Sequence, residues 1–146
     1  MHTDSSILIA APINKVFDAT SDLSAWPSLL PHYRWIRWIE GGPDHGIVEM
    51  AAMRGCIPIK WISEYRRDHG TPSLWFRHIS PFTKGMEVRW IYDQQPDGVL
   101  ITITHELKFR WPLLAPLADP IIRDFMIGWV APQTLSSFKR LLEERP

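Results

Sequence analysis

The sequence has little cysteine, no net charge and no long apolar run, and each shortage excludes a class of function. Cys56 is its single cysteine, so neither an intrachain disulfide nor a thiolate metal cluster can form. We expect this thiol to be buried or inert, because no nucleophile signature surrounds it. Sixteen Lys and Arg residues balance sixteen Asp and Glu residues, which leaves no long-range positive field to attract nucleic acid.

Several familiar motifs are also missing. No segment approaches the roughly 18 consecutive apolar residues of a membrane span, and the amino terminus lacks the basic and apolar regions of a signal peptide. The sequence contains no P-loop, dinucleotide fingerprint or G-x-S-x-G motif, and its six histidines have no metal-ligand spacing. We therefore predict a soluble, cytoplasmic protein that uses no metal or cofactor and does not bind nucleic acid.

The chain length indicates one domain. A chain of 146 residues is long enough for one hydrophobic core and short for two, so we predict a single domain over residues 1–146. The sequence does not decide between a monomer and a homodimer.

Turn signals recur at even intervals between residues 41 and 98. EGGPDHG, RRDHGTP, SPFTKG and QQPDG each combine Gly or Pro with Asp, Ser or Lys, as turns between strands do. They bound four segments of strand length, GIVEMAAMRG, IPIKWISEYRR, SLWFRHIS and MEVRWIYDQ. This spacing predicts an antiparallel meander.

The next segment, GVLITITHELKFRW at residues 98–111, alternates for most of its length. One row is apolar apart from one histidine and contains Val99, Ile101, Ile103, His105, Leu107 and Phe109. The other row is polar and contains Thr102, Thr104, Glu106, Lys108 and Arg110. Because successive side chains of a strand point to opposite faces, this segment predicts a strand with one buried face and one wet face.

Helical patterns occur near both ends of the chain. A first strand, SSILIAA, ends at Pro12 and is followed by apolar residues at helical spacing. Residues 119–145 have apolar residues three and four apart, which predicts one long amphipathic helix. Pro132 lies inside it and would clash with the carbonyl of Gly128, so we predict a kink there with helix on both sides.

These elements define a fold class. The apolar face of the sheet needs a cover, and the last helix is the only long amphipathic element that can supply it. We predict an α+β fold in which a curved antiparallel β-sheet wraps around the C-terminal helix, with two short helices after the first strand. The space between sheet and helix is then a natural ligand cavity.

Residues 26–40, WPSLLPHYRWIRWIE, interleave aromatic residues with two arginines. This pattern fits a stacking platform for nucleic acid, a membrane-facing edge or the wall of an internal pocket. Alternation in YRWIRWIE predicts a strand with one row of side chains towards the pocket. Two rows compete for the inside: Tyr33, Trp35, Arg37 and Ile39, or Arg34, Ile36, Trp38 and Glu40.

The order of elements, together with ILIAAPINKVFDATSDLSAWPSLLPHYRWIRWIEGG and KWISEYRRD, resembles the START-like helix-grip superfamily, and most of all its polyketide cyclase and aromatase branch. The resemblance covers nearly the whole chain. It implies a hydrophobic small molecule held between the sheet and the final helix. Since the superfamily includes carriers, receptors and cyclases, the resemblance indicates the fold more than the function.

The resemblance also implies candidate catalytic residues. In aromatic polyketide cyclases the pocket has a tyrosine before the second strand, and a serine and an arginine two residues apart on a middle strand. Tyr33 and Ser63 match the first two, whereas Tyr65 occupies the arginine's position. Arg67 shares their face two residues further along and would supply the missing cation. His105, on an apolar face, would hydrogen-bond to a ligand or move a proton.

Eight tryptophans are more than packing alone requires, and large flat rings suit a planar or polycyclic ligand. We predict that the ligand-lining residues are Trp61, Ser63, Tyr65, Trp90, Ile103, His105, Leu107, Met126 and Trp129.

Three functions remain open at this stage. We favour a carrier or sensor of a hydrophobic small molecule, such as a lipid, a quinone or a polycyclic aromatic compound. The first alternative is an aromatic polyketide cyclase or dehydratase. The second is a protein- or ribosome-interaction module that uses outer tryptophan and arginine residues. Binding is preferred to catalysis because Tyr65, a neutral phenol, stabilises developing enolate charge less well than an arginine.

Overall fold

The computed structural model describes residues 2–80, 83–107, 124 and 128–144. Strand β1 (His2–Ile9) is followed by helix α1 (Ile13–Ser21), a 3-10 turn (Leu23–Ala25) and helix α2 (Trp26–Leu29). Six strands come next: β2 (Tyr33–Gly42), β3 (His45–Arg54), β4 (Ile57–Asp68), β5 (Ser73–His78), β6 (Glu87–Gln95) and β7 (Gly98–Glu106). Helix α3 (Ala131–Glu144) ends the described chain.

The seven strands form one antiparallel sheet in the order β1-β7-β6-β5-β4-β3-β2. The predicted meander is therefore confirmed, and β1 closes the sheet by pairing with β7 along its whole length. Gly98 permits that closure, because a Cβ there would overlap the carbonyl oxygen of Ile9. Together with α3 and the two short helices after β1, the sheet has the helix-grip architecture that the sequence predicts.

Strand β7 shows why the sheet has one buried face. Its predicted apolar row is buried at Val99, Ile101, Ile103, His105 and Leu107, while Thr102 and Thr104 are only partly covered. Regular pairing ends at Glu106, and Phe109 lies outside the described residues. The buried row continues across the neighbouring strands, so the core forms between the inner face and the helices.

Strand β2 shows which side chains of residues 33–40 face the core. The pairing with β3 shifts register between Tyr33 and Trp35, so the alternation changes phase at that point. Tyr33, Ile36 and Trp38 consequently belong to the core. Neither predicted row is correct as a whole, because the bulge places Tyr33 of the first row and Ile36 and Trp38 of the second on the inner side.

The remaining aromatic of β2 belongs to the outer face. Trp35 is half-buried, and the guanidinium groups of Arg34 and Arg37 lie 4.8 Å and 5.6 Å from its ring centroid. Its indole N–H donates a 2.8 Å hydrogen bond to Glu49. The interleaved arginines of this segment therefore cover an outer tryptophan, which holds them by cation–π attraction.

Of the two alternatives for Cys56, burial is wrong, whereas the predicted presence of helix on both sides of Pro132 agrees with the described residues. Cys56 is exposed, because it lies in the two-residue turn between β3 and β4 rather than on a strand face. The regular α-helix begins at Ala131, so Pro132 lies in its first turn, where a missing N–H is tolerated. Residues 128–130, directly before this α-helix, are π-helical. The π-helix occurs mostly as a single wide turn next to or inside an α-helix. No helix within the described ranges is long and apolar enough to cross a membrane.

A polar anchor closes the end of the sheet where α1 terminates. Arg67 bonds to the Asp44 carboxylate at 2.8 Å and donates to the Ser21 carbonyl at 3.2 Å. The buried Tyr65 phenol donates to that same carbonyl at 3.2 Å. Since Ser21 ends α1, these donors satisfy a helix C-terminus and place a cation where the helix dipole favours it.

We predict that Arg67→Ala destabilises the fold by about 1–2 kcal/mol, because it removes one of the two side-chain donors to the Ser21 carbonyl together with an ion pair. Chemical denaturation at neutral pH measures this change. Arg66→Ala is the matched control, since Arg66 is exposed and stacks on the outer Trp75, and we expect a change within about 0.5 kcal/mol. Equal effects of the two substitutions would contradict the anchor.

Candidate ligand pocket

A cavity of about 60 Å³ lies between the inner face of the sheet and the start of α3. Most of its wall is aromatic or aliphatic and is formed by Trp26, Met50, Trp61, Phe76, Met86, Val88, Trp90, Ile103, Val130 and Ala131. Four side chains with polar groups complete it: Tyr33, His78, His105 and Thr134. An apolar wall with a few polar groups is typical of a small-molecule site.

The aromatic part of the wall is a continuous set of ring contacts. The Trp26 ring lies 5.2 Å from that of Tyr33 and 5.7 Å from that of Trp90, measured between centroids. Trp61 lies parallel to the His78 ring at 6.0 Å. A hydrogen bond of 3.1 Å from the Trp26 indole to the carbonyl of Thr20 fixes the first of these rings. The flat surfaces therefore keep a defined arrangement around the cavity.

His78 and His105 supply polar atoms in this apolar setting. His78 Nδ1 bonds to the hydroxyl of Thr83 at 2.8 Å, whereas His105 Nδ1 is buried without a hydrogen-bond partner. Burial lowers the pKa of His78 to about 3 and that of His105 to about 4, since a charged imidazole loses its hydration. Both rings are neutral near pH 7, so each can donate one hydrogen bond and accept one.

A second polar group lies where β2 meets α3. His32 Nε2 is 2.9 Å from the Thr134 hydroxyl, which donates to the Val130 carbonyl at 2.7 Å. Burial lowers the pKa of His32 to about 4 and raises that of the Tyr33 phenol above its ordinary value. Tyr33 is therefore a neutral hydroxyl at the cavity wall, with the Thr134 side chain as its hydrogen-bond partner.

The predicted site residues divide into two groups. Tyr33, Trp61, Trp90, Ile103 and His105 line the cavity. Ser63 and Tyr65 are fully buried, and Leu107 is buried as well, but the cavity lining does not include them. Trp129 packs beside the core one residue before the lining, and Met126 lies outside the described residues.

The contacts of Arg67 with Asp44 and Ser21 explain why only part of the row Trp61, Ser63, Tyr65 and Arg67 lies at the cavity. Trp61, Ser63, Tyr65 and Arg67 share one face of β4, but the cavity reaches only Trp61 at the start of that strand. Arg67 is committed to Asp44 and Ser21 at the far end. The hypothesis that Arg67 supplies a cation to the cavity is therefore wrong for this arrangement.

Nine lining residues were missing from the predicted site: Trp26, Met50, Phe76, His78, Met86, Val88, Val130, Ala131 and Thr134. His78 was detectable, since it follows Leu74 and Phe76 at the period of two that marks the inner face of β5. Thr134 had no comparable signal, because a threonine in an amphipathic helix usually satisfies its own backbone.

Comparison with known proteins places the chain in a family. It belongs to the polyketide cyclase / dehydrase and lipid transport family, which matches residues 9–127. Over 105 residues, covering 68% of this chain and 94% of the relative, it is 30% identical to a provisionally assigned polyketide cyclase from Streptomyces halstedii.

Solved structures agree on the fold. The Zhui aromatase/cyclase from Streptomyces sp. R1128 superposes with a TM-score of 0.81 at 14% identity, over 99% of this chain and 94% of that one. A START superfamily protein from Mycobacterium smegmatis gives 0.74 at 12% identity, over 99% of both chains. The chain thus has the helix-grip fold of these structures and belongs to the polyketide cyclase / dehydrase and lipid transport family.

We predict that acid destabilises the protein through its three buried histidines. Their native pKa values of about 3 to 4 lie below the ordinary 6.5, so below pH 6.5 the unfolded chain binds protons that the native state excludes. The free energy of unfolding should therefore fall as pH drops from 6.5 to about 4. Urea denaturation across this range measures the slope.

The variant that tests this explanation is His105→Gln. It removes one proton difference and should flatten the slope by up to about 1.4 kcal/mol per pH unit. His45→Gln is the control, since His45 is exposed at the start of β3. A slope that His105→Gln leaves unchanged would count against the buried-imidazole account.

Proposed function

We propose that this protein binds a hydrophobic, ring-containing small molecule in the cavity between sheet and α3, as a carrier or sensor. The observation that carries the proposal is a wall of contacting aromatic rings interrupted by a few buried neutral polar groups. Rings supply area for a planar ligand, and neutral donors and acceptors orient it. Membership of a family described by both cyclisation and lipid transport supports this class of ligand.

The volume of the cavity bears on how a ligand would fit. About 60 Å³ accommodates several waters, whereas small-molecule pockets usually measure roughly 300–1,000 Å³. Met50 and Met86 belong to the wall, and methionine adapts to new shapes more readily than branched or aromatic residues. We therefore expect the cavity to enlarge when the ligand enters, with the methionines moving first.

The setting of this function is part of the proposal. We infer a single domain over residues 1–146 that works in the cytoplasm, as a monomer or homodimer, without nucleic acid. The balance of sixteen cationic and sixteen anionic side chains supports the last point, because nucleic-acid affinity comes largely from phosphate neutralisation.

Filling the cavity should abolish binding. Ala131 lines the cavity in the first turn of α3, and Ala131→Leu keeps a good helix former while occupying the space. Titration of tryptophan fluorescence with sterols, quinones, flavonoids and fatty acids should give saturable binding to the parent protein and none to Ala131→Leu. Gln133→Leu adds the same side chain at an exposed position and should leave binding intact. A flat titration of the parent protein with every compound would contradict the proposal.

A second candidate function is cyclisation or dehydration of an aromatic polyketide. It is favoured by the relative from Streptomyces halstedii and by the presence of Tyr33, His78 and His105 in one cavity. A phenol and two imidazoles could polarise a carbonyl by hydrogen bonding and pass protons between carbon and oxygen. Tyr65 and Arg67 are outside this site, so the reaction would proceed without their help.

The enzyme hypothesis predicts regiospecific ring closure of a supplied polyketide chain above the rate in buffer. His105→Gln should lower that rate about 10²-fold or more if His105 transfers a proton, whereas Arg67→Lys should leave it nearly unchanged. Product analysis by liquid chromatography and mass spectrometry makes the measurement. Acceleration that depends on Arg67 but not on His105 would contradict this assignment, and absence of acceleration leaves the carrier as the function.

A further inference from the structure

His105 can bond to a ligand through only one of its two ring nitrogens. It follows Val99, Ile101 and Ile103 along the buried row of β7, and its side chain belongs to the cavity wall. Nδ1 is inaccessible to water and has no hydrogen-bond partner among the described residues. A neutral imidazole has no other polar atom than its two nitrogens, so Nε2 is the atom that His105 offers to the cavity.

Within residues 2–80 and 83–107, no acceptor bonds to a proton on Nδ1 of His105. Thr3 of β1 pairs with His105 across the sheet, and its hydroxyl is likewise buried without a hydrogen-bond partner. The cross-strand partner on the other side, Val88 of β6, has an apolar side chain. In the backbone, buried N–H groups without an acceptor are rarer than carbonyls with an unused lone pair. Applied to the imidazole, this order leaves the lone pair, and not the proton, on the inaccessible Nδ1.

The surroundings of His105 therefore assign the proton of its neutral ring to Nε2, since the tautomer follows from the hydrogen-bond partners. Free histidine in water also favours this tautomer, so the assignment requires no unusual state of the ring. Burial lowers the pKa of His105 to about 4, which keeps the ring neutral near pH 7. His105 consequently presents an N–H donor to the cavity, and not a lone pair.

The other polar side chains of the cavity wall have partners within the protein. His78 Nδ1 bonds to the Thr83 hydroxyl at 2.8 Å, and the Thr134 hydroxyl donates to a backbone carbonyl at 2.7 Å. Tyr33 has the Thr134 side chain as its partner. The His105 ring differs, because no hydrogen bond joins it to another described residue. A ligand atom that accepts from Nε2 would therefore satisfy a donor that the described part of the chain leaves unpaired.

We propose that the ligand carries a neutral carbonyl group on its ring system, as a ketone or a quinone does, and that this oxygen accepts a hydrogen bond from Nε2 of His105. This inference rests on the proposed function and adds to it the chemical group that the ligand presents. The acceptor is neutral because the described cavity wall contains no Lys or Arg side chain, and an unpaired carboxylate would lose its hydration there without compensation.

The tautomer of His105 is measured on the full chain without any ligand. Long-range proton–nitrogen correlation spectra of isotope-labelled protein at pH 7 distinguish a protonated ring nitrogen from an unprotonated one, and the signals lost in His105→Gln identify this ring. We expect a protonated Nε2 and an unprotonated Nδ1. A proton on Nδ1 would overturn the proposal, whatever the protein binds.

Three planar compounds of nearly the same shape test the contact with the ligand. Fluorene has no polar atom, fluorenone adds a carbonyl acceptor, and carbazole has an N–H donor in the same place. Equilibrium dialysis should give fluorenone a Kd about two- to tenfold lower than that of fluorene, as expected for one neutral hydrogen bond. His105→Leu should remove this advantage and leave the Kd values of fluorene and carbazole nearly unchanged.

Two further variants serve as controls. His105→Gln keeps a side-chain N–H donor near the position of Nε2 and should retain part of the preference for fluorenone. His45→Leu makes the same change as His105→Leu at an exposed histidine and should alter none of the three Kd values. Equal binding of all three compounds, an advantage of fluorenone that persists in His105→Leu, or an advantage of carbazole that depends on His105 would overturn the proposal while the cavity keeps its assigned role. If none of the three binds the parent protein, the proposed function fails and the carbonyl assignment with it. If His105→Leu does not fold, the tautomer of the parent protein decides.

Discussion

The apolar inner face of the seven-stranded sheet must be kept from water, and the rest of the fold depends on how that is done. Seven strands span roughly 30 Å across the sheet, whereas the 14 residues of α3 form a helix about 21 Å long. One helix cannot cover such a surface alone. Among the described residues, helices α1 and α2 cover a further part of it, with Phe17 of α1 packed against Tyr92 and Trp26 of α2 packed against Trp90. The cavity is the part of the inner face that these elements leave unfilled.

Closure of the sheet end where α1 terminates accounts for residues that otherwise suggest catalysis. The Arg67 guanidinium and the Tyr65 phenol converge on Ser21, where α1 ends, and Asp44 holds the arginine from the adjacent turn. His69 and Arg67 also lower the pKa of the Asp44 carboxyl, as expected when a carboxylate accepts hydrogen bonds. A helix terminus in a domain needs such partners. The same side chains cannot serve a pocket at the other end.

The sequence predicted which residues face inwards better than it predicted which of them meet the ligand. Alternation of side chains is a local property, so β7 could be assigned residue by residue. Position along a strand relative to the helix is a tertiary property, and Trp61 and Arg67 share a face while lying about 20 Å apart. Neither of the two predicted inward-facing rows of residues 33–40 was correct, because the bulge in β2 adds one residue and so reverses the alternation of side chains. Cys56 is exposed because it lies in a turn two residues long, and composition does not reveal such a turn.

The chemistry of the cavity favours binding over turnover. An efficient general base has a pKa near the working pH, but burial lowers the pKa of His78 to about 3 and that of His105 to about 4. Neither imidazole gains protons readily from a substrate at pH 7 in this state. As neutral rings, however, both form directed hydrogen bonds without the cost of burying a charge. Catalysis would require the bound substrate itself to raise these pKa values by bringing negative charge close to the rings, since negative charge favours the protonated imidazole.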